Sequence, residues 1–128
     1  MTRVLVIDDE PVVRALLQKS LEFAGFEVLT AQDGSRGLAT VNDQAPDVVV
    51  LDLMMPHIDG FEVLRQLHID GPAGAPPVIV LTALSDPSVK ARCLEAGAAG
   101  IMTKPFDPSV LAAEVVRLAG TERQPRSA

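Results

Sequence analysis

Tryptophan and tyrosine are absent from this chain, cysteine occurs once, and cations are outnumbered. Without an indole or a phenol, no Trp or Tyr ring can stack a flavin. A single cysteine, Cys93, excludes an internal disulfide and fits a reducing compartment. Eleven Lys and Arg stand against 17 Asp and Glu, giving a net charge of -6 and a pI of about 4.7. That balance argues against direct nucleic-acid binding, which requires clustered cations to neutralise phosphates. It argues equally against an anionic membrane surface. No apolar run approaches the ~20 residues of a membrane span. The N-terminus enters a strand-like run at once, so no signal peptide is expected. Together these absences point to a cytoplasmic protein.

What is present is a large apolar content, 48% of 128 residues, enough for the core of one domain. Strand-like and helix-like segments alternate throughout. Strands are expected at Arg3–Ile7, Glu27–Ala31, Asp47–Leu51 and Pro77–Leu81, with a shorter one at Gly100–Thr103. Helices are expected at Pro11–Ala24, from Ser35 to about Asn42, and from Phe61 to about Leu67. Two more open at Asp86-Pro87 and Asp107-Pro108, where Asp can cap and Pro can take the first turn. Val13, Leu16, Leu17, Leu21 and Ala24 fall on one face of the first helix, and Val110, Leu111, Val115 and Leu118 give the last its stripe. The second helix carries Gly37 inside it, at a cost of ~1 kcal/mol relative to Ala. Cys93 lies on an apolar stripe and reads as a packing residue. The Gly71–Pro76 stretch reads as a loop. Five strand-then-helix repeats imply a parallel sheet covered on both faces. The domain is expected to span residues 1–120, with 121–128 a tail or the start of a linker.

Polar residues punctuate the carboxyl ends of the apolar runs. Val4-Leu5-Val6-Ile7 ends in Asp8-Asp9, Val48-Val49-Val50-Leu51 in Asp52, Val78-Ile79-Val80-Leu81 in Thr82-Ala83, and Gly100-Ile101-Met102-Thr103 in Lys104-Pro105. In an open parallel sheet, ligand chemistry gathers outside those ends. Three carboxylates, a hydroxyl and an ammonium would then share one pocket. Such carboxylates repel one another unless a cation sits between them. Mg²⁺ suits a few oxygen ligands and is often shared with a phosphoryl group. Taken alone, Asp9 or Glu10 reads equally well as a cap for the helix at Pro11, but Asp52 precedes Leu53-Met54-Met55-Pro56, which is no helix start. A carboxylate can attack phosphorus to form an acyl phosphate, with Mg²⁺ and Lys104 supplying neutralising charge.

These motifs, with Asp59-Gly60, Ala96-Gly97-Ala98 and Lys104-Pro105-Phe106, make residues 3 to about 118 resemble the receiver domain of bacterial two-component response regulators. The resemblance implies a flavodoxin-like, doubly wound five-stranded parallel sheet of order 2-1-3-4-5, with five helices in a three-layer sandwich; the chemotaxis member of the family is a standard example of that order. It implies that Asp52 accepts a phosphoryl group from a sensor histidine kinase or a histidine phosphotransfer protein. Asp8, Asp9, Asp52 and the backbone carbonyl of Met54 would hold Mg²⁺, Thr82 and Lys104 would bind phosphoryl oxygens, and Lys104-Pro105 would be cis. The product is a phosphoacceptor switch rather than an enzyme acting on other molecules. It would catalyse its own phosphorylation and slow dephosphorylation, and control a downstream effector or an output domain.

The chain departs from the family pattern at informative positions. Ile101 replaces the aromatic residue many members carry there, which implies a smaller or differently shaped change on that face. Ala99, Gly100 and Glu114 replace charged residues that support a symmetric dimer in winged-helix transcription factors, so a monomer or weak dimer is expected. Met54 and Leu84 are apolar and would shield an acyl phosphate from water. His57 and His68 read as solvated loop and helix-end residues. Three rival readings are a flavodoxin-type cofactor binder, an aspartate-nucleophile phosphatase and a docking module that works without phosphorylation. The first is opposed by Asp8-Asp9-Glu10, which would repel a bare phosphate. The second is opposed by the nucleophile lying on the third strand, and the third by the complete acid cluster.

Overall fold

The computed structural model describes residues 2–55, 58–70, 75–83 and 86–127, by backbone alone at 54–55, 58–59, 69–70 and 120–127. Five parallel strands form one sheet: β1 (Arg3–Ile7), β2 (Glu27–Ala31), β3 (Val48–Asp52), β4 (Val78–Thr82) and β5 (Gly100–Thr103). Their order is β2-β1-β3-β4-β5, as the resemblance implied. The helices are α1 (Pro11–Phe23), α2 (Gly34–Gln44), α3 (Gly60–Arg65), α4 (Pro87–Glu95) and α5 (Pro108–Ser127).

Why these runs are central strands is visible in their burial. Every residue of β3 and β4 is buried, and β1 is buried from Val4 onward. Alternation along a strand sends neighbouring side chains to opposite faces. Leu5, Ile7, Val49, Leu51, Val78 and Val80 pack with Val41, Val63, Leu64, Leu67 and Cys93, so α2, α3 and α4 cover one face. Val4, Val6, Val48, Val50, Ile79 and Leu81 pack with Leu17, Leu21, Leu111, Val115 and Leu118, so α1 and α5 cover the other. Each such side chain contributes ~1.5–3 kcal/mol of burial relative to exposure.

Several boundaries differ from the sequence reading. α2 opens one residue earlier than expected, at Gly34, and runs to Gln44; Asp33 caps it, its carboxylate accepting the Arg36 N–H at 2.8 Å. Gly37 in α2 faces the Ile7 side chain so closely that a Cβ there would overlap it, which explains a glycine within a helix. After Arg65 the third helix widens into a π-helical turn, Gln66–Asp70. Met54–Met55 and Ile58–Asp59 form a short antiparallel ladder that periodicity did not reveal. Leu16 and Val110 are exposed although both were placed on buried stripes, because each lies at a stripe's flank. The α5 backbone stays helical through Ser127, where a tail was expected from Thr121. Within the expected loop, residues 71–74 lie outside the described residues, as do His57 and Leu84.

Candidate functional site

Strand register assembles the site. Ile7 lies opposite Leu51, so Asp8 and Asp52 leave the sheet at the same level on adjacent strands. Asp52 lies opposite Leu81, and Thr82 opposite Thr103, which places Thr82 and then Lys104 around the same strand ends. The Lys104 N–H donates to the Thr82 carbonyl at 2.8 Å, extending the ladder one step. The Lys104–Pro105 peptide is cis, as the resemblance implied.

Among the described residues, the buried polar or charged side chains are Asp8, Asp52 and Thr82, at 0%, 5% and 1% exposure. All three were sequence-predicted site residues. Elsewhere the core is apolar, so the desolvation cost of buried polar groups is concentrated at this one point. Asp9, half-buried, joins Asp8 and Asp52, with one carboxylate oxygen from each lying within 4.8 Å of the others. The Lys104 Nζ lies 3.3 Å from Asp52 Oδ2, bringing one positive charge to three negative ones.

Asp8 carries the electrostatic signature of the cluster. Its carboxyl is raised from 3.8 to about 6, chiefly by burial and further by the charges of Asp52 and Asp9. The Glu10 N–H, 2.9 Å from Asp8 Oδ1, and the Lys104 charge pull the other way. Asp8 Oδ2 is buried without a hydrogen-bond partner. A buried carboxylate oxygen left unpaired, with two more carboxylates beside it, is the donor set a hard divalent cation requires. The helix-capping alternative fails on geometry. Glu10 is the N-cap residue of α1 and no side-chain capping bond is made there, while the Asp8 carboxylate accepts the Glu10 N–H.

Met54 lies in the short ladder immediately after β3, which keeps its backbone close behind Asp52. One participant escaped sequence reading: Arg14 Nη1 donates to the backbone carbonyl of Asp8 at 2.8 Å. Its signal was its place one turn into α1, six residues after Asp8, on the side of the helix that returns to the strand end.

Comparison with known proteins agrees with this geometry. Residues 4–116 match the family model described as "Response regulator receiver domain", so the chain belongs to that family. It is 40% identical over 129 residues to the DNA-binding dual master transcriptional regulator RpaA of Synechocystis, covering 100% of this chain and 54% of that protein. It is 46% identical over 104 residues to response regulator MprA of Mycobacterium, covering 81% of this chain and 44% of the other. The chain thus spans about half the length of the curated relatives it matches. The Francisella response regulator 1452 receiver domain superposes with a TM-score of 0.87 at 32% identity, covering 94% of this chain and 98% of that one. Vibrio cholerae chemotaxis protein CheY4 gives 0.85 at 33% identity, covering 92% and 98%. The five-stranded parallel order is therefore both observed and that of CheY-like receivers. Among the described residues, no helix is long and apolar enough to cross a membrane.

Proposed function

We propose that this receiver domain takes a phosphoryl group on Asp52 from the phosphohistidine of a sensor kinase or phosphotransfer protein. The observation that supports this best is the buried Asp52 carboxylate facing an ammonium at 3.3 Å, beside two more carboxylates. An Asp52 oxygen attacks phosphorus, the bond from phosphorus to the donor imidazole nitrogen breaks, and an acyl phosphate forms. The electron pair of that bond returns to the imidazole nitrogen, and because the ring's other nitrogen is already protonated the donor imidazole leaves neutral. Asp8, Asp9, Asp52 and the Met54 carbonyl would hold Mg²⁺, which supplies charge neutralisation for the transferring group. The Lys104 ammonium shifts from Asp52 to a phosphoryl oxygen, and the Thr82 hydroxyl donates to another.

Drawing Thr82 toward the phosphoryl group alters the face built from α4, β5 and α5, which is the output of the switch. The partner on that face is an effector protein or an output domain. With net charge -6, this domain leaves any DNA contact to the part of a regulator outside the match with RpaA. The domain is taken to occupy residues 1–120 and to act as a monomer or weak dimer in the cytoplasm. Reductive trapping tests the site assignment. Borohydride reduction of an acyl phosphate on Asp52 converts that residue to homoserine, which peptide mapping locates. Homoserine at Asp8 or Asp9 instead would overturn it.

A further inference from the structure

Asp8 is held on three sides. Its N–H donates to the Ala31 carbonyl at 3.1 Å, tying it to the end of β2. Its Oδ1 accepts from the Glu10 N–H at 2.9 Å. Its carbonyl accepts from Arg14 Nη1 at 2.8 Å. Only Oδ2 is left without a partner. Two of the three restraints come from backbone, and Arg14 supplies the third from a side chain.

The Asp8 carbonyl and the Asp9 N–H belong to one planar peptide. Restraining that carbonyl restrains the plane, and with it the position of the Asp9 Cα from which its side chain departs. A bond to that carbonyl therefore bears on how the Asp8 and Asp9 side chains sit relative to each other. A guanidinium beside an acid cluster would ordinarily pair with a carboxylate, yet among the described residues Arg14 has no ion pair within 4 Å. It is half-buried, on the wall of a groove of about 440 Å³ shared with Thr30, Gln32, Arg36 and Thr40, which offers no carboxylate to draw it away.

We propose that Arg14 is a positioning residue for the cation site: its bond to the Asp8 carbonyl orients the Asp8–Asp9 peptide so that both carboxylates meet one ion. The inference rests on the function proposed above and adds a residue to it. Groups that orient metal ligands from behind affect affinity by ~10–100-fold when removed.

Charge and positioning predict opposite signs, which makes the test decisive. If Arg14 acted only as a nearby positive charge, its removal would strengthen Mg²⁺ binding. Positioning predicts that Arg14→Met weakens it by about ten-fold or more. Mg²⁺ is titrated against wild type, Arg14→Met and Arg14→Lys by backbone amide shifts, with thermal midpoints recorded in chelator. The expected result is weaker binding in Arg14→Met and partial recovery in Arg14→Lys, with acyl-phosphate formation by Arg14→Met shifted to higher Mg²⁺. Affinity in Arg14→Met within about two-fold of wild type, or tighter, overturns the inference. Should the methionine variant fail to fold, the lysine variant decides alone: it keeps the charge but places its one donor at a different reach from Nη1, so affinity equal to wild type overturns the proposal. Wild type that binds no Mg²⁺ would overturn the proposed function and this inference together, which separates the two failures.

Discussion

Lys104, one residue past β5, and Asp52, at the end of β3, meet across β4 through an Nζ to Oδ2 contact of 3.3 Å at the carboxyl edge of the sheet. The pair is shielded on the aspartate side, at 6% side-chain exposure, and more open on the lysine side, at 28%. Such a contact gives one cation two competing tasks. Under the proposed function it would balance Asp52 before phosphorylation and a phosphoryl oxygen after it.

Lys104→Met should therefore separate binding from chemistry. Mg²⁺ affinity should hold or rise, because a competing positive charge is gone. Acyl-phosphate formation from acetyl phosphate should fall by ~10²-fold, the usual effect of deleting one charge-stabilising group from a transfer site. Titration and timed intact-mass labelling read the two quantities separately. Labelling at the wild-type rate would remove Lys104 from the mechanism.

The Asp8 carboxyl, raised from 3.8 to about 6, makes a pH prediction. The folded chain holds that proton at higher pH than the unfolded chain does, so between about 4 and 6 the folded state binds more protons. Stability of the metal-free protein should then fall as pH rises through this window, by at most ~3 kcal/mol from this group. Asp8→Asn should melt higher than wild type at pH 7.5 in chelator, with the difference closing below pH ~4. Mg²⁺ binding needs the carboxylate, so wild-type affinity should decline below pH ~6. A thermal midpoint of Asp8→Asn below wild type at pH 7.5 in chelator would contradict the account of a strained buried carboxylate.

Gly60 opens α3 directly beneath the backbone that follows Asp52. A Cβ there would overlap the Leu53 carbonyl oxygen and come within 2.9 Å of the Leu53 carbonyl carbon and Cα. Backbone cannot rotate away as a side-chain tip can, so Gly60→Ala should destabilise by ~1–3 kcal/mol. It should also weaken Mg²⁺ binding, since the displaced segment leads from Asp52 to the Met54 carbonyl. A thermal midpoint within about 1 °C of wild type would show that the segment yields freely.

Ile101 is half-buried and packs against the core on the α2–α4 side of the sheet, opposite Val80 in register. It has no ring to swing between a pocket and solvent. Its methyl resonances should move little when a phosphoryl mimic is added with Mg²⁺, less than those of residues flanking Thr82. A full rotamer exchange at Ile101 would show that an aliphatic side chain can serve as the moving part here.

The strands and the acid cluster were legible for the same physical reason. A strand covered on both faces has to be apolar along its length, so Val48–Leu51 and Val78–Leu81 announce themselves, and the first polar residue after each marks the site. Helix faces were less legible. Leu16 and Val110 fit a 3.6-residue period yet stand in solvent, because periodicity gives a stripe's direction and not how widely its neighbours cover it. Gly37 looked like a weakness until Ile7 was seen to fill the space a side chain would need. The Arg14 bond to the Asp8 carbonyl was hidden because its acceptor is backbone, which carries no residue signature. The π-helical turn at Gln66–Asp70 and the short ladder after β3 have no periodicity of their own to read.

Intact mass after incubation with acetyl phosphate and Mg²⁺, on wild type and Asp52→Asn side by side, tests the central claim most directly. The account predicts one added phosphoryl group of ~80 Da on wild type, none on Asp52→Asn, and none on wild type when Mg²⁺ is chelated during labelling. Equal labelling of both proteins would place the acceptor elsewhere. Absence of labelling on a wild type shown to bind Mg²⁺, and to refuse phosphoryl groups from phosphohistidine donors as well, would contradict the account and leave a docking module that works without phosphorylation.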